Sequence, residues 1–281
     1  MAVIATGFFD GVHQGHRHII STLVSSARER GEEAVVVTFA QHPRAVLQQD
    51  ATSLRLLTSR SEKEDLLRSL GVDRIEVMEF TREFAAMPAG EYLQMLRDRL
   101  GCSCLVIGYD TRMGSDLLGA GDLVSLAQGL GIEVIRCEAV GDVSSTRIRA
   151  ALTDGRVEEA AQLLGRPYSL SGIVVPGKQL GRVLGFPTAN LQISDPLRLV
   201  PARGVYLSRT TVLGRSYWSM TNVGDVVETN IFDFQDDIYS LQIRVSFVAR
   251  IRDMKIFYSL DELRDQISRD RGTCLEIISG S

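Results

Sequence analysis

The sequence predicts an α/β domain with a parallel sheet, followed by a second domain built on an antiparallel sheet or small β-barrel and closed by a C-terminal helix. Two observations lead to this prediction. The first half of the 281 residues alternates short apolar runs with amphipathic segments of helical length, which is typical of βαβ units. Beyond residue 166, strand-like runs separated by turns dominate. This change of pattern predicts domains at 1–166 and 167–281.

The first domain is expected to alternate strands and helices along its whole length. Its strands are apolar almost throughout, which favours a parallel sheet buried on both faces. Gly31 is expected to end the first helix, and Ser61 with Glu64 is expected to form a capping box in the second. The predicted strands are 1–7, 33–39, 74–80, 104–109 and 133–140, and the predicted helices are 16–32, 59–72, 89–101, 121–132 and 146–164.

The second domain carries strand-like segments in which polar and apolar residues partly alternate, with turn residues between them. Segments of this kind pair antiparallel, either as a sheet or closed into a small barrel. The predicted strands are 168–175, 204–213, 215–223 and 237–251, and one predicted helix at 259–270 closes the chain.

Composition limits the classes of function. Apolar residues make up 44% and charged residues 23% of the chain, as in a globular protein with a substantial core. A formal net charge of −4 does not favour a nucleic-acid partner. No run approaches the ~20 apolar residues of a membrane span, and the opening apolar run lacks the length and basic flank of a signal peptide. We therefore expect a cytoplasmic protein without a membrane partner, as a monomer, although the sequence leaves an oligomer open.

The four cysteines are Cys102, Cys104, Cys137 and Cys274. No pair has CxxC spacing, so we expect free, buried thiols in a reducing compartment and neither a disulfide nor a metal site. The alternation of side chains along a strand predicts that Cys102 and Cys104 share one face.

The stretch 7–16, GFFDGVHQGH, lies where the first predicted strand passes into the first helix. Ligands of parallel α/β sheets bind beyond the carboxyl ends of the strands, and a helix N-terminus favours an anion. Gly11 and Gly15 would let the backbone approach that anion closely. His13 and His16 would add side chains that stabilise charge developing on phosphorus. Two histidines alone fit a helix start on the surface equally well, but the glycines and the position in the sheet favour a phosphate site.

This stretch resembles the HxGH signature of the nucleotidylyltransferase superfamily, whose members transfer a nucleoside monophosphate from a triphosphate and release pyrophosphate. The segment 143–152, VSSTRIRAAL, is similar to the superfamily's ISSTxIR motif. Its hydroxyl residues can cap the following helix and donate to phosphate, and its arginines supply charge beside the leaving pyrophosphate. The resemblance implies an ATP site formed by Gly7, Phe9, Asp10, Gly11, His13, His16, Asp110, Ser144, Ser145, Thr146 and Arg147.

Two intermediate segments resemble the prokaryotic flavin-adenylylating enzymes. VVTFAQHPRAVL is similar to their TFxPHPR segment through His42 and Arg44, and VIGYDTRMGSD is similar to their GxDFRFG segment through a set that includes Arg112. The resemblance implies that His42, Arg44 and Arg112 bind the flavin or its phosphate. Thr111 and Met113 replace the two phenylalanines of the second segment, so the packing at that wall departs from the family's pattern.

The segment 177–191, GKQLGRVLGFPTANL, carries a second set of polar residues at a predicted turn. Thr188 offers a hydroxyl and Asn190 an amide oxygen, and Mg²⁺ prefers a few such hard oxygen ligands together with water and phosphate. Spacing alone fits a polar turn between strands equally well. The segment looks like the GxxxGFPTANL signature of riboflavin kinase. This implies a kinase ATP site at Gly181, Gly185, Pro187, Thr188 and Asn190, with Thr188 and Asn190 as the Mg²⁺ ligands.

Further along, VETNIFDF resembles the kinase's IETHIFDF segment. The resemblance implies that Glu228 is the general base, since a carboxylate can accept the proton of a primary alcohol that attacks the γ-phosphate of ATP. Two departures stand out: TNVGDVVETN is abrupt where the family has a longer loop, and Asn230 stands where the family often has His. A short native loop and missing loop residues are both compatible with the sequence.

Together the motifs resemble the bacterial bifunctional riboflavin kinase/FAD synthetase family over nearly the whole chain. The resemblance implies a Rossmann-like nucleotidylyltransferase domain followed by a riboflavin kinase barrel, with ATP, riboflavin and FMN as substrates, FAD as the final product and Mg²⁺ as the cofactor. One alternative is a monofunctional nucleotidylyltransferase, which the kinase-like second half disfavours. The other is a flavin-binding or regulatory protein with decayed sites, which is disfavoured by the intact residues His13, His16, Thr188, Asn190 and Glu228.

Overall fold

The computed structural model describes residues 1–47, 54–177, 181 and 184–280. The chain divides into two compact units, Met1–Ser145 and Thr146–Ser281. Within the described ranges, no helix combines the length and apolarity that crossing a membrane requires.

The first unit is a parallel α/β structure. Its five longer strands form one parallel sheet in the order β3-β2-β1-β4-β7, and β5 pairs with β6 in a separate hairpin. This confirms the Rossmann-like α/β fold that the sequence predicts. The elements are β1 (Ala2–Thr6), α1 (Gln14–Arg30), β2 (Glu33–Phe39), α2 (Pro43–Leu47), α3 (Arg60–Ser69), β3 (Arg74–Met78), α4 (Arg82–Ala85), α5 (Ala89–Leu100), β4 (Cys102–Gly108), β5 (Arg112–Met113), β6 (Leu118–Gly119), α6 (Ala120–Gly129) and β7 (Glu133–Cys137).

Helices cover both faces of this sheet, which explains why its central strands are apolar throughout. On one face, α1 buries Ile20, Leu23 and Ala27, which are spaced along one side of the helix. On the other face, Leu93 of α5 and Leu123 of α6 belong to a second buried cluster. The two clusters hold β1 and its neighbours between them, so the loops at the carboxyl end of the sheet have a rigid base.

The capping box of α3 lies two residues earlier in the chain than the sequence predicts. Ser59 is the N-cap: its hydroxyl accepts the backbone N–H of Glu62 at 3.2 Å, and the Glu62 carboxylate accepts the backbone N–H of Ser59 at 3.0 Å. The predicted capping box of Ser61 with Glu64 is therefore wrong. Glu64 instead forms an exposed ion pair with Arg60 at 2.9 Å.

The four cysteines are free and buried, as predicted. The prediction that Cys102 and Cys104 share one face of a strand is wrong, because β4 contains an irregularity. Ala2 pairs with Cys102 and Val3 pairs with Cys104, so one residue of β4 is skipped in the register. Cys102 consequently packs in one core cluster and Cys104 in the cluster on the opposite face.

The second unit is a closed six-stranded antiparallel barrel with a C-terminal helix, as predicted. The strand order is β10-β11-β12-β9-β8-β13, and β13 closes on β10. The short strands β9 and β12 were not predicted; β9 lies in the segment 177–191, which was predicted to contain a turn. The elements are α7 (Ser145–Thr153, beginning at the last residue of the first unit), α8 (Val157–Leu164), β8 (Ser169–Val175), β9 (Ala189–Gln192), β10 (Gly204–Val212), β11 (Arg215–Val223), β12 (Val227–Ile231), β13 (Gln242–Arg252) and α9 (Leu260–Ser279).

The single helix predicted over 146–164 is two helices. Gly155 has φ +77°, a left-handed conformation that ends α7 and turns the chain into α8. Arg250 of β13 fixes this turn, since its guanidinium donates to the carbonyl of Asp154 at 2.7 Å and its backbone N–H donates to Glu158 at 2.9 Å. A Cβ at Gly155 would overlap the Arg250 guanidinium.

The barrel interior contains a ring of five hydroxyl groups with no solvent exposure. Neighbours in the ring are 2.6–3.3 Å apart. Each hydroxyl has one hydrogen to donate and can accept another, so a closed ring satisfies all five without water. In order around the ring they are Ser208, Ser219, Thr210, Thr229 and Thr221.

Candidate active sites

Hydrogen bonds to residues 57 and 58 hold the turn between β1 and α1 in place. The buried Asp10 carboxylate accepts the backbone N–H groups of Leu57 at 3.0 Å and Thr58 at 3.1 Å. The N–H of Gly11 donates to the Thr58 hydroxyl at 3.1 Å. These contacts give Asp10 and Gly11, both expected at the ATP site, an anchoring role in the structure.

The same turn holds strained backbone. Phe9 has φ 53° and Val12 has φ 42°, a left-handed conformation that is costly for side chains of this size. Both residues are buried, and their packing holds the turn in this shape. The predicted phosphate site is thus built on a rigid loop.

The two histidines of the HxGH stretch are stacked on each other. His13 is the N-cap of α1, where its Nδ1 accepts the backbone N–H of His16 at 3.2 Å. The two rings are nearly parallel, with centroids 3.6 Å apart, and Phe9 meets His16 edge-on at 5.3 Å. Gly15 allows this arrangement, because a Cβ there would lie 3.2 Å from the His13 ring.

Burial lowers the pKa of His16 well below the ordinary value of 6.5, and positive charge on His13 and Lys63 lowers it further. The imidazole is therefore neutral at pH 7 and acts as a hydrogen-bonding group. Its Nδ1 is buried and has no hydrogen-bond partner among the residues that the structure describes. An unsatisfied buried nitrogen of this kind is costly unless a ligand completes it.

Lys63 is a buried cation near this site that the sequence analysis did not single out. Its Nζ donates to the carbonyl of Phe8 and to the hydroxyl of Thr38, both at 3.0 Å. It also lies 4.0 Å from the centroid of the Phe8 ring. Burial lowers the pKa of Lys63 to about 8, although Asp10 opposes the shift. The sequence signal was available, since Lys63 precedes the buried Leu67 by four residues on the same face of α3.

A cavity of about 310 Å³ lies at the carboxyl end of the sheet in the first unit. It brings together the HxGH stretch, the residues after β4 and the start of the VSSTRIR motif. The hydroxyl of Ser145 also donates to the carbonyl of Asp10 at 3.0 Å, which ties this motif to the turn. The expected ATP-site residues that line the cavity are Gly7, Phe9, His13, His16, Asp110, Ser144 and Ser145.

The remaining residues predicted for this site are not among the described residues that line the cavity. Among the described lining residues, none is His42, Arg44 or Arg112, although the ring of His42 meets Phe8 edge-on at 4.6 Å. Thr146 and Arg147 belong to the second unit. There the Arg147 guanidinium forms an ion pair with Glu159 at 3.2 Å.

The second candidate site lies on neighbouring strands of the barrel. Glu228 of β12 pairs directly with Asn190 of β9, and directly opposed antiparallel residues have Cβ atoms about 4.5–5.5 Å apart. Thr188 immediately precedes β9. None of these three side chains makes a hydrogen bond or ion pair with another described residue, so their polar groups are available to a ligand.

Close backbone approach shapes this site. A Cβ at Gly177 would overlap the amide of Asn190, and a Cβ at Gly181 would lie 3.1 Å from the Thr188 hydroxyl. Gly185 has φ +85° and turns the chain. The carbonyl of Pro187 accepts the amide of Asn230 at 2.7 Å. The other signature residues, 178–180 and 182–183, lie outside the described residues.

Two cavities meet at Thr188. A cavity of about 260 Å³ has a largely apolar wall, which includes Phe186 and Phe257, and contains Glu228 at its polar end. A smaller cavity of about 100 Å³ has a more polar lining, with Asp236 among its residues. The larger one suits a flat aromatic ring system with a polar tail, and the smaller one shares the lining residue Thr188.

Comparisons with known proteins cover both units. Residues 1–151 match the family model described as FAD synthetase, and residues 164–278 match the model described as riboflavin kinase. A protein of Bacillus subtilis (strain 168), called bifunctional riboflavin kinase/FMN adenylyltransferase, is 32% identical over 99% of this chain and 93% of the relative. The protein of the same name from Escherichia coli (strain K12) is 35% identical over 98% and 92%.

A solved structure is similar over almost the same extent. It is titled "Crystal Structure of Macrolide-efflux Protein from Streptococcus pneumoniae", and it superposes with a TM-score of 0.92 at 35% identity. The superposition covers 97% of this chain and 93% of that one.

Proposed function

The chain belongs to the family of bifunctional riboflavin kinase/FMN adenylyltransferases, and we propose how its own residues carry out the two reactions of that family. The enzyme makes FAD from riboflavin in two steps that each consume ATP. The C-terminal barrel phosphorylates riboflavin to FMN, and the N-terminal α/β unit transfers an adenylyl group to FMN and releases pyrophosphate.

The observation that carries the assignment of residues is the stacked pair of His13 and His16 at the N-terminus of α1, beside a cavity that Ser144 and Ser145 also line. Backbone N–H groups at a helix N-terminus attract phosphate. The neutral His16 imidazole supplies a hydrogen bond as charge develops on the transferred phosphorus. No covalent intermediate is required, since the step depends on positioning and on charge stabilisation.

The other expected residues of this site complete the proposal. Thr146 and Arg147 would bind the pyrophosphate that leaves. His42, Arg44 and Arg112 would bind FMN through its phosphate or ring. The ring of His42 contacts Phe8 edge-on, and the Lys63 ammonium donates to the Phe8 carbonyl. Since Phe8 lines the cavity, this contact supports a position of His42 next to the site.

In the kinase step Glu228 is the general base that accepts the proton of the riboflavin 5′-hydroxyl as its oxygen attacks the γ-phosphate. Thr188 and Asn190 fit Mg²⁺, since they present hard oxygen atoms that no described residue engages. Bound there with ATP, the cation would neutralise phosphate charge. Gly181, Gly185 and Pro187 shape the loop that receives the nucleotide.

Incubation of the protein with riboflavin, ATP and Mg²⁺, followed by chromatographic separation of the flavins, tests this function. We expect FMN first and FAD later, and a reaction started from FMN should give FAD and pyrophosphate only. Chelation of Mg²⁺ should stop both steps. Failure to form FMN from riboflavin with the folded protein would contradict the kinase assignment, and failure to convert FMN would contradict the adenylyltransferase assignment.

A further inference from the structure

The chain contains only three asparagines, Asn190, Asn222 and Asn230. They lie on three neighbouring strands of the barrel, β9, β11 and β12, around Glu228. Asn222 lines the same cavity as Glu228.

Asn222, Glu228 and Asn190 form one row across the sheet. Asn222 pairs with Glu228 in the register of β11 with β12, and Glu228 pairs with Asn190 in the register of β12 with β9. Directly opposed residues of antiparallel strands project from the same face. The Glu228 carboxylate therefore lies between two side-chain amides, one on each neighbouring strand.

In the register of the strands, Asn190 and Asn222 lie on opposite sides of Glu228. Asn190 and Thr188 are the residues that we assign to the metal and the phosphates, and Thr188 also lines the apolar cavity. The described lining of the large apolar cavity includes Asn222 and Glu228 but not Asn190. Since strands lie about 4.8 Å apart and both side chains line the cavity, a short chain attached to a ring in the apolar cavity can contact Asn222 and Glu228 together.

The amide of Asn222 is available for such a chain. It is half-buried and makes no hydrogen bond with any other described residue, whereas the amide of Asn230 is already used by the Pro187 carbonyl at 2.7 Å. An amide offers one acceptor oxygen and two N–H donors. Polyol hydroxyls both donate and accept, so they match this group, and leaving it unpaired in a closed site would be costly.

We propose that Asn222 binds the hydroxyl groups of the ribityl chain and is a specificity-determining residue of the kinase step. The inference rests on the proposed function, because it takes Glu228 as the point at which the terminal hydroxyl is held. Asn222 fixes the chain, the apolar cavity holds the ring, and the 5′-oxygen lies at Glu228 facing the phosphates.

The test is a comparison of two flavins that share the ring but differ in the side chain. Riboflavin carries the ribityl chain, and lumiflavin carries a methyl group in its place. Equilibrium dissociation constants are measured by flavin fluorescence with the full chain, for the wild type and for Asn222→Ala. We expect the Kd for riboflavin to rise three- to tenfold, as for loss of one neutral hydrogen bond, and the Kd for lumiflavin to stay unchanged.

Asn230→Ala is the matched control, since it removes an amide that lines the same cavity but is paired within the protein. It should change both dissociation constants by the same factor. Asn222→Leu, which keeps similar volume on the strand, serves if the alanine variant does not fold. Equal weakening of both flavins by the Asn222 variants, or no change for either, would overturn the inference. FMN formation by the wild type, measured in the same preparation, tests the proposed function independently.

Discussion

At the scale of single residues, Glu228 is the side chain that we propose as the general base of the kinase step. It lies in register between two amides and has no ion-pair partner among the described side chains. Asp233, the next carboxylate after Glu228 along the chain, is exposed and contacts Arg271 at 3.4 Å. The geometry therefore favours Glu228 as the base.

Glu228→Gln keeps the shape and hydrogen bonding of the side chain but removes its ability to take a proton. We expect FMN formation to fall by about 10²-fold or more, the range for general base catalysis. FAD formation from supplied FMN should persist, because that step belongs to the other unit. Initial rates of both steps at saturating ATP and Mg²⁺ provide the measurement. Near-normal kinase turnover would place the base elsewhere, with Asp233 as the next candidate.

His16 should serve only the adenylyl transfer. In His16→Ala we expect FAD formation from FMN to fall by about 10²–10³-fold, the usual cost of losing one preorganised donor. FMN formation from riboflavin should continue at its normal rate. The measurement is a pair of assays, one for each step, on one folded preparation. An equal loss of both activities would contradict the proposal that His16 contributes to the adenylyl transfer alone.

The neutral state of His16 also makes stability depend on pH. The unfolded histidine titrates near 6.5, whereas burial lowers the pKa in the folded protein well below that. Between the two values the unfolded chain binds a proton that the folded chain does not. The free energy of unfolding therefore falls as pH drops below about 6.5, with a limiting slope of about 1.4 kcal/mol per pH unit from this group.

We expect His16→Gln to show a shallower loss of stability than the wild type between pH 7 and pH 5. Urea unfolding at each pH measures the slope. His18→Gln, at an exposed histidine of the same helix, is the control and should retain the slope of the wild type. Identical slopes for all three proteins would show that His16 is not kept neutral by the fold.

At the scale of secondary-structure elements, the hydroxyl ring fixes how β10, β11 and β12 pair inside the barrel. A shift of one residue in any of these strands would turn its hydroxyls away from the interior. Because each hydroxyl of the ring pairs with two others, removal of one member takes a hydrogen-bond partner from each of its two neighbours. The ring therefore favours a single register more strongly than an apolar interior would.

Thr221→Val removes one hydroxyl of the ring with almost no change in volume. We expect a loss of about 1–3 kcal/mol in the free energy of unfolding, the cost of leaving buried polar groups unpaired. Thr211→Val makes the same chemical change at an exposed hydroxyl pair on β10 and should change stability by less than about 0.5 kcal/mol. Chemical denaturation of both variants measures the difference, and equal effects would show that the ring contributes nothing beyond its surroundings.

At the scale of the whole molecule, the predicted boundary at 166 separates the barrel from α7 and α8, whereas the contacts of the second unit include both helices. The backbone N–H of Ala202 donates to the carbonyl of Leu152 at 2.9 Å. Arg250 holds the turn between the helices through Asp154 and Glu158. The barrel is thus braced by the two helices that precede it.

We predict that fragments 146–281 and 167–281 both fold and phosphorylate riboflavin, and that the longer one is more stable. Each lost hydrogen bond contributes about 1 kcal/mol, so the shorter fragment should melt roughly 5–10 °C lower. Thermal melts by circular dichroism and an assay of FMN formation measure both properties. Equal melting temperatures would show that α7 and α8 do not stabilise the barrel. A folded but inactive short fragment would show that residues 167–281 alone are not a complete kinase domain.

The sequence by itself determined the succession of an α/β unit and a barrel, because periodicity and turn residues act over a few positions and are visible locally. It also led to the chemistry that we propose for the sites, since the HxGH stretch, Thr188, Asn190 and Glu228 carry recognisable groups at recognisable spacing. The same local rules misplaced the capping box at Ser61 and the single helix over 146–164. For the helix, Arg250 from another strand fixes the turn at Gly155. For the capping box, the structure uses Ser59 with Glu62, a pair with the same local spacing as Ser61 with Glu64.

Only the tertiary structure decided what depends on residues far apart in the chain. It gave Asp10 and Gly11 an anchoring role through residues 57 and 58, and it buried Lys63 against the Phe8 ring. It also placed Asn222 beside Glu228 through strand register. The physical reason is the same in each case: burial, register and the closing of a hydrogen-bond network are set by partners that the local sequence does not contain.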